Sequence, residues 1–160
     1  MRVLDVLTAE RVALASEVAG GVRTKIEALH ALSRLLASGG EAGAVDEIAR
    51  VFVEREKLQS TGVGGGVAIP HGAIDRSFPL TGAVLLCRDA IPFDAIDGAP
   101  VSILFALIGP KRAAGEHLKA LARVSRLLRD DAFRKRLLDV STGSIAFGLI
   151  AAEEARVTTL

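Results

Sequence analysis

Residues 82–88 and 101–108 constrain the fold more than anything else in this chain. Both stretches are rich in β-formers and close to continuously apolar, without the alternation of a strand that shows one face to water. Strands of that kind are covered on both faces. A third, shorter apolar stretch spans residues 67–69, and Pro, Gly or Asp bounds all three. Ile91-Pro92-Phe93-Asp94-Ala95-Ile96-Asp97-Gly98 connects the two long stretches through an Asp-Gly turn.

Helical patterns surround these strands. Residues 1–10 read as a short helical turn, and residues 11–16 as a first strand. After the Gly20-Gly21 break, Thr24 and Glu27 have the spacing of a capping box. Ile26, Leu29, Ser33 and Leu36 then share a face, and Ser38-Gly39-Gly40 ends the helix. A second helix covers residues 44–58, with Val45, Ile48 and Phe52 as its buried stripe. A third, residues 113–129, has Leu118, Leu121, Ala122, Ser125 and Leu128 as its expected inner face and His117 at the edge. A fourth runs over 131–138. Thr142-Gly143-Ser144 introduces a last helix carrying Ile145, Leu149 and Ile150. Helices that outnumber embedded strands predict a mixed α/β layer fold. One domain over residues 1–154 is expected, with residues 155–160 as a frayed tail.

Composition narrows the partners. Twenty basic against 19 acidic residues leave a net charge of +1, which argues against binding nucleic acid through phosphate neutralisation. The single Cys87, in an apolar run, excludes an intrachain disulfide and reads as a buried, inert thiol. The N-terminus lacks a signal-peptide core, and no apolar run approaches the ~20 residues that span a bilayer. The expectation is a cytoplasmic protein without membrane insertion.

Chemistry concentrates in Ser60-Thr61-Gly62-Val63-Gly64-Gly65-Gly66-Val67-Ala68-Ile69-Pro70-His71-Gly72. Glycines let backbone N–H groups approach an anion, so Gly62 to Gly66 suggest an anion-binding concavity, with Ser60 and Thr61 adding hydroxyls. A dinucleotide fingerprint fails, because Val67 stands where a third glycine is needed and a strand follows the loop. No Gly-Lys-Ser/Thr is present either. His71 is then a candidate base, metal ligand or phosphoryl acceptor, and the last fits best. His117, near a helix N-terminus, is the second candidate. Two histidines make a poor zinc site without a third ligand, so neither metal nor cofactor is expected. His30 reads as a packing residue. At roughly 100° per residue, Arg55 falls on the apolar face of its helix, about 20° from Ile48. A charge there either snorkels out, pairs with Glu56 or an aspartate, or turns into the site beside His71.

Arg55-Glu56-Lys57 followed by the Ser60–Gly72 run closely resembles the phosphorylation-site motif of type-2 enzyme IIA domains of the bacterial phosphoenolpyruvate-dependent phosphotransferase system, the fructose and mannitol class. The resemblance continues through Phe93-Asp94-Ala95-Ile96-Asp97-Gly98, Leu104-Phe105-Ala106-Leu107 and His117-Leu118-Lys119-Ala120-Leu121, over about residues 20 to 150. The Phe-Asp-Ala-Ile-Asp run is most similar to the nitrogen-related enzyme IIA. Gly65 departs from relatives that carry a polar residue there.

The resemblance implies an α/β domain with a mixed sheet flanked by helices. It implies that His71 accepts a phosphoryl group on Nε2, as a tele-phosphohistidine, from a nitrogen-related histidine phosphocarrier protein. His117 would support the phosphate and Arg55 its charge, with Ser60, Thr61, Gly62 and Gly64 as further donors. It also implies regulation of targets such as potassium transport proteins or sensor kinases. The alternative is a sugar-specific enzyme IIA that passes phosphate to an enzyme IIB.

Overall fold

The two continuously apolar stretches become the two longest strands of a mixed sheet, β5 (Thr81–Ile91) and β6 (Val101–Pro110), paired antiparallel. The coordinates, a computed structural model, describe residues 1–158. The other elements are β1 (Val12–Leu14), α1 (Lys25–Ala37), α2 (Val45–Leu58), β2 (Gly62–Gly64), β3 (Val67–Ala68), β4 (His71–Ile74), α3 (Ala114–Leu127), α4 (Asp131–Leu138) and α5 (Gly143–Thr158). Two 3₁₀ turns, Val3–Asp5 and Ala9–Arg11, precede β1. The strand order is β1-β5-β6-β3-β2, with β4 also paired to β6.

Side chains of β5 and β6 alternate between two cores. Val84, Leu86, Ile103, Phe105 and Leu107 join residues of α3, α4 and α5. Ala83, Leu85, Cys87, Leu104, Ala106 and Ile108 join residues of α1 and α2. The result is three layers, helix–sheet–helix, as expected of strands without a wet face. Four of the six phenylalanines, Phe52, Phe93, Phe105 and Phe133, are at most 1% exposed, so the aromatic mass sits in these interiors. Cys87 is buried as expected, and burial pushes its thiol pKa up to about 11.

Helix ends follow local chemistry. The Thr24 side chain accepts the Glu27 N–H and the Glu27 carboxylate accepts the Thr24 N–H, both at 3.1 Å. Asp130 caps α4 through the Ala132 N–H at 2.9 Å. Three details differ from the helical patterns. Ile26 is 51% exposed, while Leu29, Ser33 and Leu36 are buried. In α3 the inner stripe is Ala120, Val124 and Leu127, flanked by His117 and Leu121; of the expected face Leu128 is buried just past the helix end, while Leu118 is 69% exposed. Both stripes obey the same 3.6-residue period. Val124 decides between them, because its side chain reaches the sheet core that Ala122 and Ser125 cannot fill. In α5, Ile145 is exposed and Ala146 and Ile150 are buried. The helix runs past Glu154 to Thr158, where a frayed tail was expected; residues 159 and 160 lie outside the described residues. The Glu154 carboxylate accepts the N–H groups of Val3 and Leu4, at 2.5 and 3.2 Å, tying this helix to the start of the chain.

β3 and β4 are one strand interrupted. Val67 faces Ile103 and His71 faces Leu107, four residues on along both strands, so the parallel register is unbroken. The interruption is Ile69-Pro70. Pro70 has no N–H to give, although its carbonyl still accepts the Leu107 N–H at 2.9 Å. Odd-numbered residues of this strand, Val67 and Ile69, face the α3 core; even-numbered Ala68 and Ile74 face the α1/α2 core.

Gly72 lies on the α2 side, where a Cβ would come within 2.3 Å of Val51 Cγ1. Val51 is β-branched and cannot swing aside cheaply. Gly72→Ala is therefore expected to destabilise the fold by about 1–3 kcal/mol. Trimming the partner, in Val51→Ala/Gly72→Ala, is expected to recover part of that loss in urea unfolding.

Candidate functional site

His71 opens β4 directly after Pro70, and strand alternation aims its ring toward α3. His117, in the first turns of α3, faces back toward the sheet. The two rings meet edge to face, centroids 5.8 Å apart and planes at 67°. The two histidines singled out in the sequence are thus brought together by β4 and α3.

The tautomer of His71 follows from its partner. Nδ1 lies 2.7 Å from the Ile69 carbonyl oxygen. A carbonyl only accepts, so Nδ1 carries the proton and, in the neutral ring, Nε2 carries the lone pair. His71 is partly exposed, which leaves that nitrogen approachable. His117 is different. Its Nε2 is buried without a hydrogen-bond partner. Burial, then the nearby His71, hold its pKa below the ordinary imidazole value.

The glycine run folds differently from the expected anion cradle. β2 and β3 form a hairpin whose turn residues Gly64, Gly65 and Gly66 all have positive φ, a backbone that glycine adopts without strain. Its donors are engaged within the chain. The Gly62 N–H donates to Ser60 Oγ at 3.1 Å, Gly64 pairs with Val67 across the hairpin, and the Gly65 N–H donates to Asp97 Oδ2 at 3.1 Å. Ser60 Oγ donates to the Phe93 carbonyl at 2.9 Å. The Thr61 hydroxyl and N–H both donate to the Glu56 carboxylate. The run docks the hairpin on the Phe93–Gly98 connection, where the Ile96 N–H reaches the Gly62 carbonyl at 3.0 Å.

Arg55 is only partly buried, and its guanidinium donates to the Gln59 carbonyl at 2.8 Å. It does not pair with Glu56, whose charge meets Lys25 at 2.6 Å. Gly72 and Val51 put α2 on the opposite face of β4 from the His71 ring. A helical wheel of α2 alone carries no information on that parity. Asp94, 91% exposed, lies 3.9 Å from Lys25, and Asp97 is held by the N–H groups of Gly65 and Ala99. Among the described residues no three His, Cys, Asp or Glu side chains converge as a metal site, and no helix is long and apolar enough to cross a membrane.

The arrangement is that of an α/β domain holding one partly exposed imidazole at a sheet edge, with a second histidine, its pKa lowered by burial, behind it. Residues 6–152 match the phosphoenolpyruvate-dependent sugar phosphotransferase system EIIA 2 family, and the chain belongs to that family. A nitrogen regulatory protein of Bradyrhizobium diazoefficiens is 43% identical over 109 residues, 67% of this chain and 71% of that protein. One from Pseudomonas aeruginosa is 35% identical over 133 residues, covering 83% and 85%. The crystal structure of nitrogen regulatory protein IIA-Ntr from Neisseria meningitidis superposes with a TM-score of 0.80 at 30% identity, over 92% of this chain and 97% of that one.

The low pKa of His117 has a consequence for stability. Above the ordinary imidazole value of 6.5 neither the folded nor the unfolded chain protonates it. As pH falls below that value the unfolded chain takes up a proton that the folded site resists, so stability declines until the folded-state pKa is passed. Replacing His117 by Asn is expected to flatten the stability profile over that window, measured by urea unfolding between about pH 7.5 and pH 5.

Proposed function

We propose that this protein accepts a phosphoryl group on Nε2 of His71 and acts as a phosphorylation-dependent regulator of the nitrogen-related phosphotransferase branch. The observation that carries this reading is the 2.7 Å contact between His71 Nδ1 and the Ile69 carbonyl, which leaves Nε2 as the free nucleophile. The donor is the phosphohistidine of a small carrier protein. The Nε2 lone pair of His71 attacks phosphorus in line, the P–N bond to the carrier breaks, and the carrier imidazole keeps that electron pair. The transition state is loose, so positioning and charge stabilisation matter more than acid–base chemistry. His71 keeps its Nδ1 proton throughout, and the bond to Ile69 strengthens as the ring gains positive charge.

The arriving group brings about −2 charges. His117 Nε2 has no partner in the free protein and is assigned as the phosphate's support, taking up a proton as the anion raises its pKa. Arg55 is assigned a secondary part, released from Gln59 and reaching round the sheet edge. Ser60, Thr61, Gly62 and Gly64 are assigned to holding the loop, since their contacts already tie it to itself, to Glu56 of α2 and to Phe93. Similarity to nitrogen regulatory proteins supports regulation as the output. Potassium transport proteins or sensor kinases are the class of target we propose. A fructose-specific EIIA component of Haloferax volcanii, 33% identical over 119 residues, supports the second reading: transfer onward to an enzyme IIB.

Incubation with phosphoenolpyruvate, the system's first enzyme and its carrier is expected to add one acid-labile phosphate by intact mass. His71→Ala is expected to abolish it, and full labelling of that variant would refute the acceptor assignment. His117→Ala should still take up phosphate but hold it about tenfold less long, an effect of ~1.4 kcal/mol. Loss of the label on adding a sugar enzyme IIB, with sugar phosphate formed, would favour the second reading.

A further inference from the structure

Glu56 lies in the last turn of α2 with its side chain 5% exposed. One carboxylate oxygen accepts the Thr61 N–H at 2.8 Å and also the Thr61 hydroxyl. The other accepts no well-aligned hydrogen bond, and its charge is met by Lys25 Nζ at 2.6 Å. Lys25 is the first residue of α1; it also donates to the Phe93 carbonyl at 3.2 Å and covers the Phe93 ring at 4.7 Å. The chain of contacts continues past Thr61. Its carbonyl accepts the Ile69 N–H at 3.0 Å, and the Ile69 carbonyl accepts the His71 Nδ1–H at 2.7 Å.

Fold stability is a poor explanation for this pair. Buried ion pairs seldom stabilise more than apolar residues of the same size. Each charge also stands at the wrong helix end, a cation at the N-terminus of α1 and an anion at the C-terminus of α2, where the helix dipoles oppose them. What the pair supplies is direction. Both outward-facing groups of Ile69 are fixed, its N–H by Thr61 and its carbonyl by His71.

We propose that Glu56, braced by Lys25, is a positioning residue that acts through Thr61 and Ile69 to hold His71 in the Nδ1–H tautomer. The proposal rests on His71 being the phosphoryl acceptor. In the other tautomer the attacking nitrogen carries a proton and has no lone pair to give, so the fraction of that tautomer is lost to transfer. Without Glu56 the Thr61 segment loses its anchor, the Ile69 carbonyl is free to turn, and both tautomers are populated.

The test reads the imidazole directly, by ¹⁵N NMR of the full chain at a pH where His71 is neutral. It is paired with phosphoryl uptake from phosphoramidate, a small donor that needs no carrier docking. The wild type is expected to show a protonated Nδ1 and a bare Nε2. Glu56→Ala is expected to mix the tautomers and slow uptake at least tenfold, whereas Glu56→Gln, which keeps an acceptor for Thr61, recovers most of the rate. Lys25→Met is expected to fall between them. A wild type protonated on Nε2 overturns the proposal without any variant. A folded Glu56→Ala with wild-type tautomer and rate overturns it too. If Glu56→Ala does not fold, Lys25→Met decides on the same two readouts. A tautomer shift in the variant with no label on wild-type His71 instead overturns the acceptor reading, and with it the purpose of the positioning.

Discussion

β6 is buried on both faces, and most of the molecule is arranged to meet that condition. A strand without a wet face needs helices above and below it, which α1 and α2 supply on one side and α3, α4 and α5 on the other. The same strand then sets the site. Its residues Ile103 to Pro110 give β3 and β4 a single parallel register, and that register decides which face each residue of the His71 strand presents. His71 points toward α3 because Val67 and Ile69 do. Gly72 points toward α2, where only a residue without Cβ fits under Val51.

Much of this was legible in the residues themselves. The unalternating runs announced β5 and β6, and Thr24 and Glu27 announced the start of α1 by a local rule that needs no tertiary context. His71 and His117 were both recognisable, and the fold brings their rings together. Less legible was whatever depends on two elements at once. The inner face of α3 had two stripes of equal period, and only the shape of the sheet core selects Val124 over Ala122 and Ser125. Arg55 looked inward on the wheel of its own helix, but which side of the sheet that helix covers is a matter of strand parity. Gly62 to Gly66 looked like an anion cradle because glycine permits one. In the fold their freedom serves a tight hairpin instead, and Asp97 and Ser60 take the N–H groups. Glu56 was read only as a candidate partner for Arg55, because nothing within α2 shows that Lys25 of α1 meets it instead.

The site chemistry comes from an economical set of constraints. One carbonyl selects the protonated nitrogen of His71. One buried nitrogen on His117 has no hydrogen-bond partner, and burial beside His71 lowers the pKa of its ring. Membership of the EIIA type-2 family and likeness to nitrogen regulatory proteins agree with that chemistry, yet neither explains why the ring stands as it does. The explanation is mechanical. Ile69 is held from behind by Thr61, and Thr61 is held by a carboxylate at the foot of α2.

The bond between His71 and Ile69 also bears on self-association. Ile69 turns its polar groups to the side of the strand away from β6, where the pairing with β2 runs out and an uncovered group would invite a foreign strand to pair. Here Thr61 takes the N–H and the imidazole takes the carbonyl, so the edge offers nothing to a neighbouring chain at that point. The ring nitrogen of His71 that faces the backbone thus occupies a carbonyl with which an incoming strand would otherwise pair.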